Sequence, residues 1–399
     1  MPKVRIAKPF TPEAKLKRRI RRHFTSLGFV RGPNGTLDPP GTSKRLIRNL
    51  HGGQRKERLI ESASFLRKAL PLVIKYFANG DEIEPANIRL RLKRVEAGTK
   101  EADIFRVATA TWSVPVSQGY GRRLRFLVWD EHHDRVAGVI ALGDPVFNLT
   151  VRDTLIGWTS RDRSTRLVNV LDAYVLGAVP PYNFLLGGKA VACLVRSREV
   201  YDDFAKTYGG TVGIISKKAK RANLLAVTTS SSMGRSSVYN RLKLGGQTYF
   251  KSIGYTVGWG HFHITDELFG EIRDFLRLKK HKYADRHRFG HGPSWRFRTI
   301  RAALDELGIN KAVLKHGIKR EVFMCLLAGN AGGILRTGKG KPDTSLLLTV
   351  REISELARDR WIVPRAERRP EFRTWKRSGI VRLIRGNAPD LELPRIRSG

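Results

Sequence analysis

Two glycines and a lysine that could hold an anionic cofactor follow a predicted strand near the middle of the chain. After that strand come two prolines, and then Gly187, Gly188 and Lys189 where a helix is expected to begin. Glycines let a ligand approach the backbone, and free amides at a helix start attract anions such as a pyrophosphate. We therefore consider Val179, Gly187, Gly188 and Lys189 as candidate cofactor-binding residues, for a cofactor of unknown identity. The same glycines could equally serve only the packing of a tight strand-to-helix turn.

A second polar stretch, residues 228–241, follows the next predicted strand. Hydroxyls, a glycine and arginines at the carboxyl end of a strand are what a phosphate or carboxylate site requires. Ser236 and Tyr239 are the candidate catalytic residues here, with Tyr239 as a possible general acid. Equally, Ser236 could simply cap a helix, and no partner that would activate Tyr239 is evident.

The histidines and acids argue only weakly for a metal. His261 and His263 alternate along a predicted strand over residues 259–264 and would face one side, but a third ligand of plausible spacing is missing. The acid pairs that could hold Mg²⁺ in a nuclease are Asp202 with Asp203 and Asp130 with Asp144. Acids are scarce in this chain, and we expect most of them to pair with nearby arginines. We predict no metal site.

The charge of the chain points to a polyanionic partner. Lysine and arginine total 75 against 36 acids, a formal net charge of +39, while 41% of the residues are hydrophobic as in an ordinary globular protein. Such a surface binds phosphates with release of counterions, so we predict nucleic acid as the partner, with DNA as the expected form. A membrane is disfavoured because no basic cluster adjoins an apolar segment of spanning length. The predicted contacts are Arg18, Arg19, Arg21, Arg22, Trp112, Arg122, Arg123, Arg161, Arg163, Lys217, Lys218, Lys220, Arg235, Arg241, Lys279 and Lys280.

Cysteine content and the N-terminus suggest a compartment. Cys193 and Cys325 both lie in apolar runs and are expected to be reduced core residues. The first residues carry no apolar core like that of a signal peptide. We therefore expect a cytoplasmic protein.

These side chains must be positioned by a mixed α/β core. Apolar spacing predicts helices over 11–80, with a kink at Pro71, and a hairpin over 124–142. The further predicted strands are 173–176, 224–228, 249–253 and 259–264, with helical patterns at 191–208 and 268–276. We predict an α/β (α+β) fold in three regions: a basic helical N-terminal region at 1–103, the core at 104–278, and a small, helical and basic C-terminal region at 279–399.

Several long motifs resemble the DruA family, the DruA component of the Druantia anti-phage defence system. They are WSVPVS (112–117), GYGRR (119–123), RFLVWD (125–130), GDPVFNL (143–149), IGW (156–158) and DAYVLGAVPPY (172–182). The similarity extends from about residue 18 to 330. It implies a role in bacterial defence against phage, with a large helicase and other Druantia subunits as partners. Family members also occur with mobile elements, so a transposon-associated DNA-processing protein or nuclease remains an alternative.

The predicted strand order also resembles that of the GNAT acyltransferases. In that superfamily the turn before the helix cradles the pyrophosphate of acetyl-CoA. Residues 183–189 depart from the usual Arg/Gln-x-x-Gly-x-Gly/Ala pattern of that turn. The leading hypothesis is a DNA-binding Druantia subunit on a GNAT-like mixed sheet. A nucleic-acid-modifying transferase and a non-catalytic assembly hub are the alternatives, and whether the chain is an enzyme is left open.

Overall fold

The chain forms two compact units, built from separate stretches of sequence. In the computed structural model, which describes residues 10–116, 121–212, 219–261, 263–285, 295–386 and 388–395, the smaller unit comprises Met1–Glu57 with Val257–Lys319 and the larger comprises Arg58–Thr256 with Arg320–Gly399. Each unit therefore draws on more than one of the regions predicted at 1–103, 104–278 and 279–399. Those three regions remain a prediction.

An eight-stranded mixed sheet organises the larger unit. In chain order the strands are β1 (Val30–Arg31), β2 (Leu37–Asp38), β3 (Leu90–Arg94), β4 (Arg123–Asp130), β5 (Arg135–Gly143), β6 (Val170–Ala178), β7 (Gly210–Val212), β8 (Ala219–Arg221), β9 (Ala226–Ser230), β10 (Leu242–Leu244), β11 (Gln247–Tyr255) and β12 (Glu321–Leu326). The large sheet has the order β10-β11-β12-β9-β6-β5-β4-β3, while β1 pairs with β2 and β7 with β8.

The centre of the sheet contains its parallel pair. Strands β6 and β9 run side by side only over Val170–Asp172 and Ala226–Thr228. Beyond that point side chains bridge the strands, since the Thr229 hydroxyl donates to the Ala173 carbonyl at 2.9 Å. β12 then lies antiparallel between β9 and β11. The carboxyl end of β6 is therefore free to lead into the turn at residues 179–186.

Helices cover both faces of the sheet and build most of the smaller unit. They are α1 (Pro12–Ser26), α2 (Lys44–Leu50), α3 (Gly52–Glu61), α4 (Ala63–Val73), α5 (Lys100–Ala110), α6 (Thr150–Ile156), α7 (Ser160–Arg166), α8 (Gly187–Leu194), α9 (Arg198–Tyr208), α10 (Asp266–Leu278), α11 (Trp295–Glu306), α12 (Ala331–Thr337), α13 (Val350–Ala357), α14 (Val363–Arg368) and α15 (Gly379–Arg385). Short 3-10 turns lie at Pro33–Gly35, Ile74–Tyr76, Pro85–Asn87, Leu167–Asn169, Lys311–Leu314 and Pro370–Thr374, and a π-helical turn at Arg358–Ile362 joins α13 to α14.

The core lies on the two faces of the sheet. One apolar cluster joins the sheet to α8 and α13 and continues to Trp361 and Phe372 near the C-terminus. The other joins the sheet to α4, α5 and α15. Cys193 and Cys325 are fully buried free thiols in the first cluster. The prediction that they are reduced core residues is confirmed.

Most of the predicted elements are present. The mixed α/β fold, the hairpin β4–β5 and strands β6, β9 and β11 are confirmed. The pattern at 191–208 is two helices rather than one, because the Ser197 hydroxyl accepts from the Val200 amide and starts a new helix.

The strand predicted at 259–264 is wrong. In the described part of that segment, only an isolated bridge from Trp259 to Lys315 has strand character, and the segment belongs to the smaller unit. The strand that enters the sheet after β11 is β12, from the region predicted to hold only helices and basic loops. His261 and His263 therefore do not line one side of a strand. His263 is buried against Phe24 and Phe29 in the smaller unit.

Candidate nucleic-acid interface

A cleft of about 730 Å³ lies where the turn after β6 meets the segment around α14 and α15, and we call it the C-terminal cleft. Its walls carry four cations and one acid among aromatic and small residues. The lining residues are Phe184, Arg365, Arg369, Glu371, Phe372, Thr374, Trp375, Lys376, Ser378, Gly379 and Arg382. Cations beside exposed aromatic faces are the combination that binds phosphates and bases together.

The turn after β6 places Phe184 at the edge of the cleft. Tyr182 is buried, and its hydroxyl donates to the Asp130 carboxylate at 2.9 Å, which anchors the turn to the end of β4. Two residues later Phe184 is 40% exposed. Its carbonyl accepts a hydrogen bond of 3.3 Å from the Arg365 guanidinium. The turn and α14 are thus held together at the cleft.

Two of the four cations of the cleft form ion pairs, and both of these pairs are exposed to solvent. Arg369 pairs with Glu371 at 3.1 Å and Lys376 with Asp81 at 2.6 Å, and all four side chains of these pairs are exposed. Within the described stretches of the chain, Arg365 and Arg382 form no ion pair. Exposed ion pairs contribute little to stability, so a phosphate can compete for the paired cations as well. The cleft therefore keeps an excess of positive charge.

The glycine turn predicted to bind a cofactor is closely packed. The Val179 amide donates to the Ala137 carbonyl at 3.0 Å, and the Gly187 amide to the Tyr182 carbonyl at 2.9 Å. A Cβ at Gly187 would lie 2.6 Å from that same Tyr182 carbonyl oxygen, whereas one at Gly188 would meet nothing within 4 Å. The packing explanation therefore accounts for Gly187.

Lys189 lies one turn into α8. Its amide donates to the Leu186 carbonyl at 2.9 Å, so this amide is not free for a ligand either. Its ammonium lies 5.6 Å from the centre of the Trp361 ring. A cofactor held by Val179, Gly187, Gly188 and Lys189 remains a prediction.

The hydroxyls of Ser236 and Tyr239 have structural partners. Ser236 Oγ accepts from the amides of Val238 and Tyr239 at 3.2 and 3.3 Å, the geometry of a capped turn. Tyr239 donates to the Leu176 carbonyl at 3.3 Å, and burial raises the pKa of its phenol well above the ordinary value of 10. The phenol therefore stays protonated at neutral pH. A catalytic role for this pair remains a prediction.

Some of the predicted nucleic-acid contacts are used inside the fold. Arg122, with only 12% of its side chain exposed, pairs with Asp144 at 2.7 Å and donates to two backbone carbonyls. Arg163 pairs with Asp153 at 3.3 Å. In the smaller unit Arg19 binds two acids of α10. Trp112 packs over Gly177 on β6. These side chains stabilise the fold, and contacts to nucleic acid by them stay predictions.

Other predicted contacts have exposed side chains. α1 buries Leu16, Ile20 and Phe24 and turns its basic residues outward. Lys279 pairs with Glu13 at 2.6 Å, and this hydrogen bond raises the pKa of Lys279. Lys217 and Lys218, and the side chain of Lys220, lie outside the described residues. The predicted contacts that are exposed are Arg18, Arg21, Arg22, Arg123, Arg161, Arg235, Arg241 and Lys280.

A second basic region, which we call the strand-end network, shows the opposite use of arginine. It comprises Arg122, just before β4, paired with Asp144, just after β5, and the Arg152–Asp153 pair at the start of α6, with Asp172 on β6. Arg152 is fully buried and donates to the carbonyls of the loop at 146–147. Asp172 accepts from the Thr228 hydroxyl at 2.8 Å, and desolvation raises its pKa to about 6.

The acids predicted as alternatives for a magnesium site do not converge. The hairpin register places Asp130 opposite Arg135 and places Gly143, the neighbour of Asp144, opposite Arg123 at the other end. Asp130 is also fully buried between Tyr182 and His133. Asp203 pairs with Arg94. No group of three or more His, Cys, Asp or Glu side chains within the described ranges could hold a metal ion.

The residues of the C-terminal cleft are not among the contacts predicted from the sequence, although residues 365–377 form a basic stretch. Trp375, in the same basic stretch, was the available signal, since aromatic residues interleaved with cations favour nucleic-acid contact. A search of the described residues also finds no helix both long and apolar enough to cross a membrane.

Comparison with known proteins identifies the family. Residues 41–337 match the family described as Druantia protein DruA. A Druantia protein DruA of Escherichia coli (strain UMEA 4076-1) is 59% identical over 372 residues, covering 93% of this chain and 92% of that protein. No solved structure matches, so the GNAT likeness stays a prediction. With its motifs, and with this identity along nearly the whole of its length, the chain belongs to the DruA family of Druantia proteins.

Proposed function

We propose that this chain is the nucleic-acid-binding component of its Druantia anti-phage defence system, with DNA as the partner. Family membership supports the assignment to Druantia. The observation that carries the binding proposal is the C-terminal cleft, where Arg365 and Arg382 stand beside Phe184 and Trp375 and form no ion pair with any described residue.

The charge of the whole chain supports the same conclusion. A fold with a net charge of +39 repels itself, and phosphates relieve that repulsion when they bind. Each phosphate that a lysine or arginine neutralises also releases condensed counterions. In the larger unit, Arg161, Arg235 and Arg241 offer further contacts to a DNA backbone, and in the smaller unit the exposed arginines of α1 do so separately.

The proposed role also indicates how the other Druantia subunits would cooperate with this chain. A large helicase that acts on DNA would be recruited to, or would deliver DNA to, the basic surfaces of this chain. We place the complex in the cytoplasm, where phage DNA enters the cell. The contacts between subunits would use surfaces other than the cleft, because DNA would occupy it.

The test is fluorescence anisotropy of labelled duplex and single-stranded DNA at increasing salt concentration. We expect tight binding at low salt, with log K falling linearly against log salt by about 0.7 to 0.9 per phosphate contact. Polyglutamate at matched charge serves as the competitor control and should displace DNA poorly. Absence of binding at low salt, or an affinity that salt does not change, would contradict the proposal.

A further inference from the structure

We infer that the C-terminal cleft receives a single unpaired nucleotide of a DNA strand, with its base against Phe184 and Trp375 and its phosphate on Arg365 or Arg382. This inference rests on the proposed function and specifies the form of nucleic acid that the cleft selects. Three observations support it: the size of the cleft, the exposure of the Phe184 ring and the fixed position of Trp375.

The size of the cleft excludes a duplex from its interior. A volume of about 730 Å³ is that of a pocket that encloses a small molecule, and one nucleotide is such a molecule. In a duplex the bases are paired and stacked, and the backbone alone could touch the rim. A base reaches the floor of the cleft only when it is unpaired and turned out of its stack.

The aromatic residues of the cleft form an incomplete stacking platform. The rings of Phe184 and Trp375 meet edge to face, with centres 5.9 Å apart and planes at 60°. Phe184 nevertheless leaves 40% of its surface in water, which costs hydrophobic free energy that burial against a base would recover. Guanidinium groups at the same site can hold the phosphate that accompanies the base.

Trp375 is held in place before any ligand arrives. Its carbonyl accepts from the Gly80 amide at 2.8 Å, and the neighbouring Arg377 amide donates to Asn79 at 2.8 Å. Its six-membered ring packs so closely on Gly379 that a Cβ there would lie 2.7 Å from it. A rigid aromatic side chain loses little conformational entropy on binding, which favours stacking.

The test compares Phe184→Leu with Phe147→Leu, an equally exposed phenylalanine outside the cleft that is 45% exposed. Both side chains are exposed, so neither change should unfold the protein. With oligo-dT as the single-strand probe, we expect F184L to weaken binding by about fivefold or more. Affinity for a blunt duplex should change less than about twofold, and F147L should alter neither affinity.

A spectroscopic measurement complements the affinities. Quenching of intrinsic tryptophan fluorescence by oligo-dT should shrink in Trp375→Phe, whose ring can still fill the site. An unchanged oligo-dT affinity in F184L, or equal losses for single strand and duplex, would overturn the inference. So would wild-type protein that binds duplex alone, although the proposed function would then stand. Wild-type protein that binds neither probe at low salt would defeat the proposed function itself.

Discussion

The strand-end network and the C-terminal cleft use the same side chain in opposite ways. Arg152 is fully buried and pairs with Asp153, and Arg122 pairs with Asp144. In the cleft, Arg365 and Arg382 pair with no acid in the described part of the chain. The number of arginines in a region therefore does not define an interface. The acceptors that the fold supplies to each guanidinium decide whether it remains available to a ligand.

Burial explains why the guanidinium of Arg152 is paired inside the fold. A buried guanidinium loses the water on all of its donors, and desolvation lowers the pKa of Arg152. Three acceptors replace that water: the Asp153 carboxylate at 2.8 Å and the carbonyls of Val146 and Phe147 at 3.0 and 2.9 Å. Arg152 thereby fixes the loop between β5 and α6.

The largest expected effect is from Arg152→Met, which leaves the Asp153 carboxylate with less compensation and the two loop carbonyls without their donor. Breaking a buried charge pair costs about 3 to 5 kcal/mol of unfolding free energy. Urea denaturation followed by circular dichroism measures it. The exposed Arg161→Met should change stability by less than about 0.5 kcal/mol. Equal stabilities of R152M and R161M would erase the distinction between buried and available arginines.

Removal of two cations from the C-terminal cleft should weaken the binding of DNA. The double variant Arg365→Ala/Arg382→Ala should weaken DNA binding by about 10- to 100-fold and reduce the slope of log K against log salt by about 1.4 to 1.8, because two cations that can each hold a phosphate are lost. Its stability should fall by no more than about 1 kcal/mol, since neither side chain forms an ion pair in the described stretches and only the hydrogen bond from Arg365 to the Phe184 carbonyl is lost. The variant Lys206→Ala/Arg351→Ala removes the same charge from exposed sites elsewhere. Equal losses of DNA affinity in the two variants would show that the cations of the cleft contribute no more to binding than other exposed cations.

Alanine substitutions at Gly187 and Gly188 test whether the glycine turn stabilises the fold by packing, as the strand-end network stabilises it by ion pairs, or binds a ligand. Gly187→Ala places a Cβ against the Tyr182 carbonyl and should destabilise the protein by about 1 to 3 kcal/mol. Gly188→Ala meets open space and should be neutral or stabilise α8 by up to about 1 kcal/mol. Thermal denaturation compares the two. A G188A protein of normal stability that fails to protect cells from phage would favour a ligand at this turn.

The smallest effect is a pH dependence in the strand-end network. Because the pKa of Asp172 is raised by desolvation from 3.8 to about 6, its neutral form is favoured in the folded state. Its contribution to stability is therefore complete below pH 4 and is lost as the pH rises through 6. Asp172→Asn keeps an acceptor for Thr228 and removes this loss.

The change in stability between pH 4 and pH 8 should thus be more favourable in D172N than in the wild type, by about 1 to 2 kcal/mol after allowance for partial exposure. Urea unfolding of both proteins at each pH gives the difference, in which other titrating groups cancel. Equal changes in the free energy of unfolding of the two proteins between pH 4 and pH 8 would mean that the carboxyl of Asp172 is hydrated in the folded state.

Local sequence predicted the elements that form from neighbouring residues. The hairpin β4–β5 and strand β6 follow from continuous apolar runs and the turn between them. β12 was not predicted, because its partners β9 and β11 precede it by many residues and because no turn signal marks its six residues as a strand. The predicted strand at 259–264 had the apolar alternation but lies in the smaller unit.

The cleft could not be predicted for the same reason. Arg365 bonds the carbonyl of Phe184, which lies 181 residues earlier. Nor could the sequence reveal that Arg122 meets Asp144, since both belong to separate loops that only the hairpin brings together. Residue type indicated the ligand class, and tertiary contacts decided which cations remain available.

The most direct test of this account is photocrosslinking of the wild-type protein to a thiothymidine-substituted oligonucleotide, with the crosslinked peptides identified by mass spectrometry. We predict crosslinks to peptides that contain Phe184 and to those spanning Arg365 to Arg382. Crosslinks confined to peptides of the strand-end network, with none from the C-terminal cleft, would contradict it.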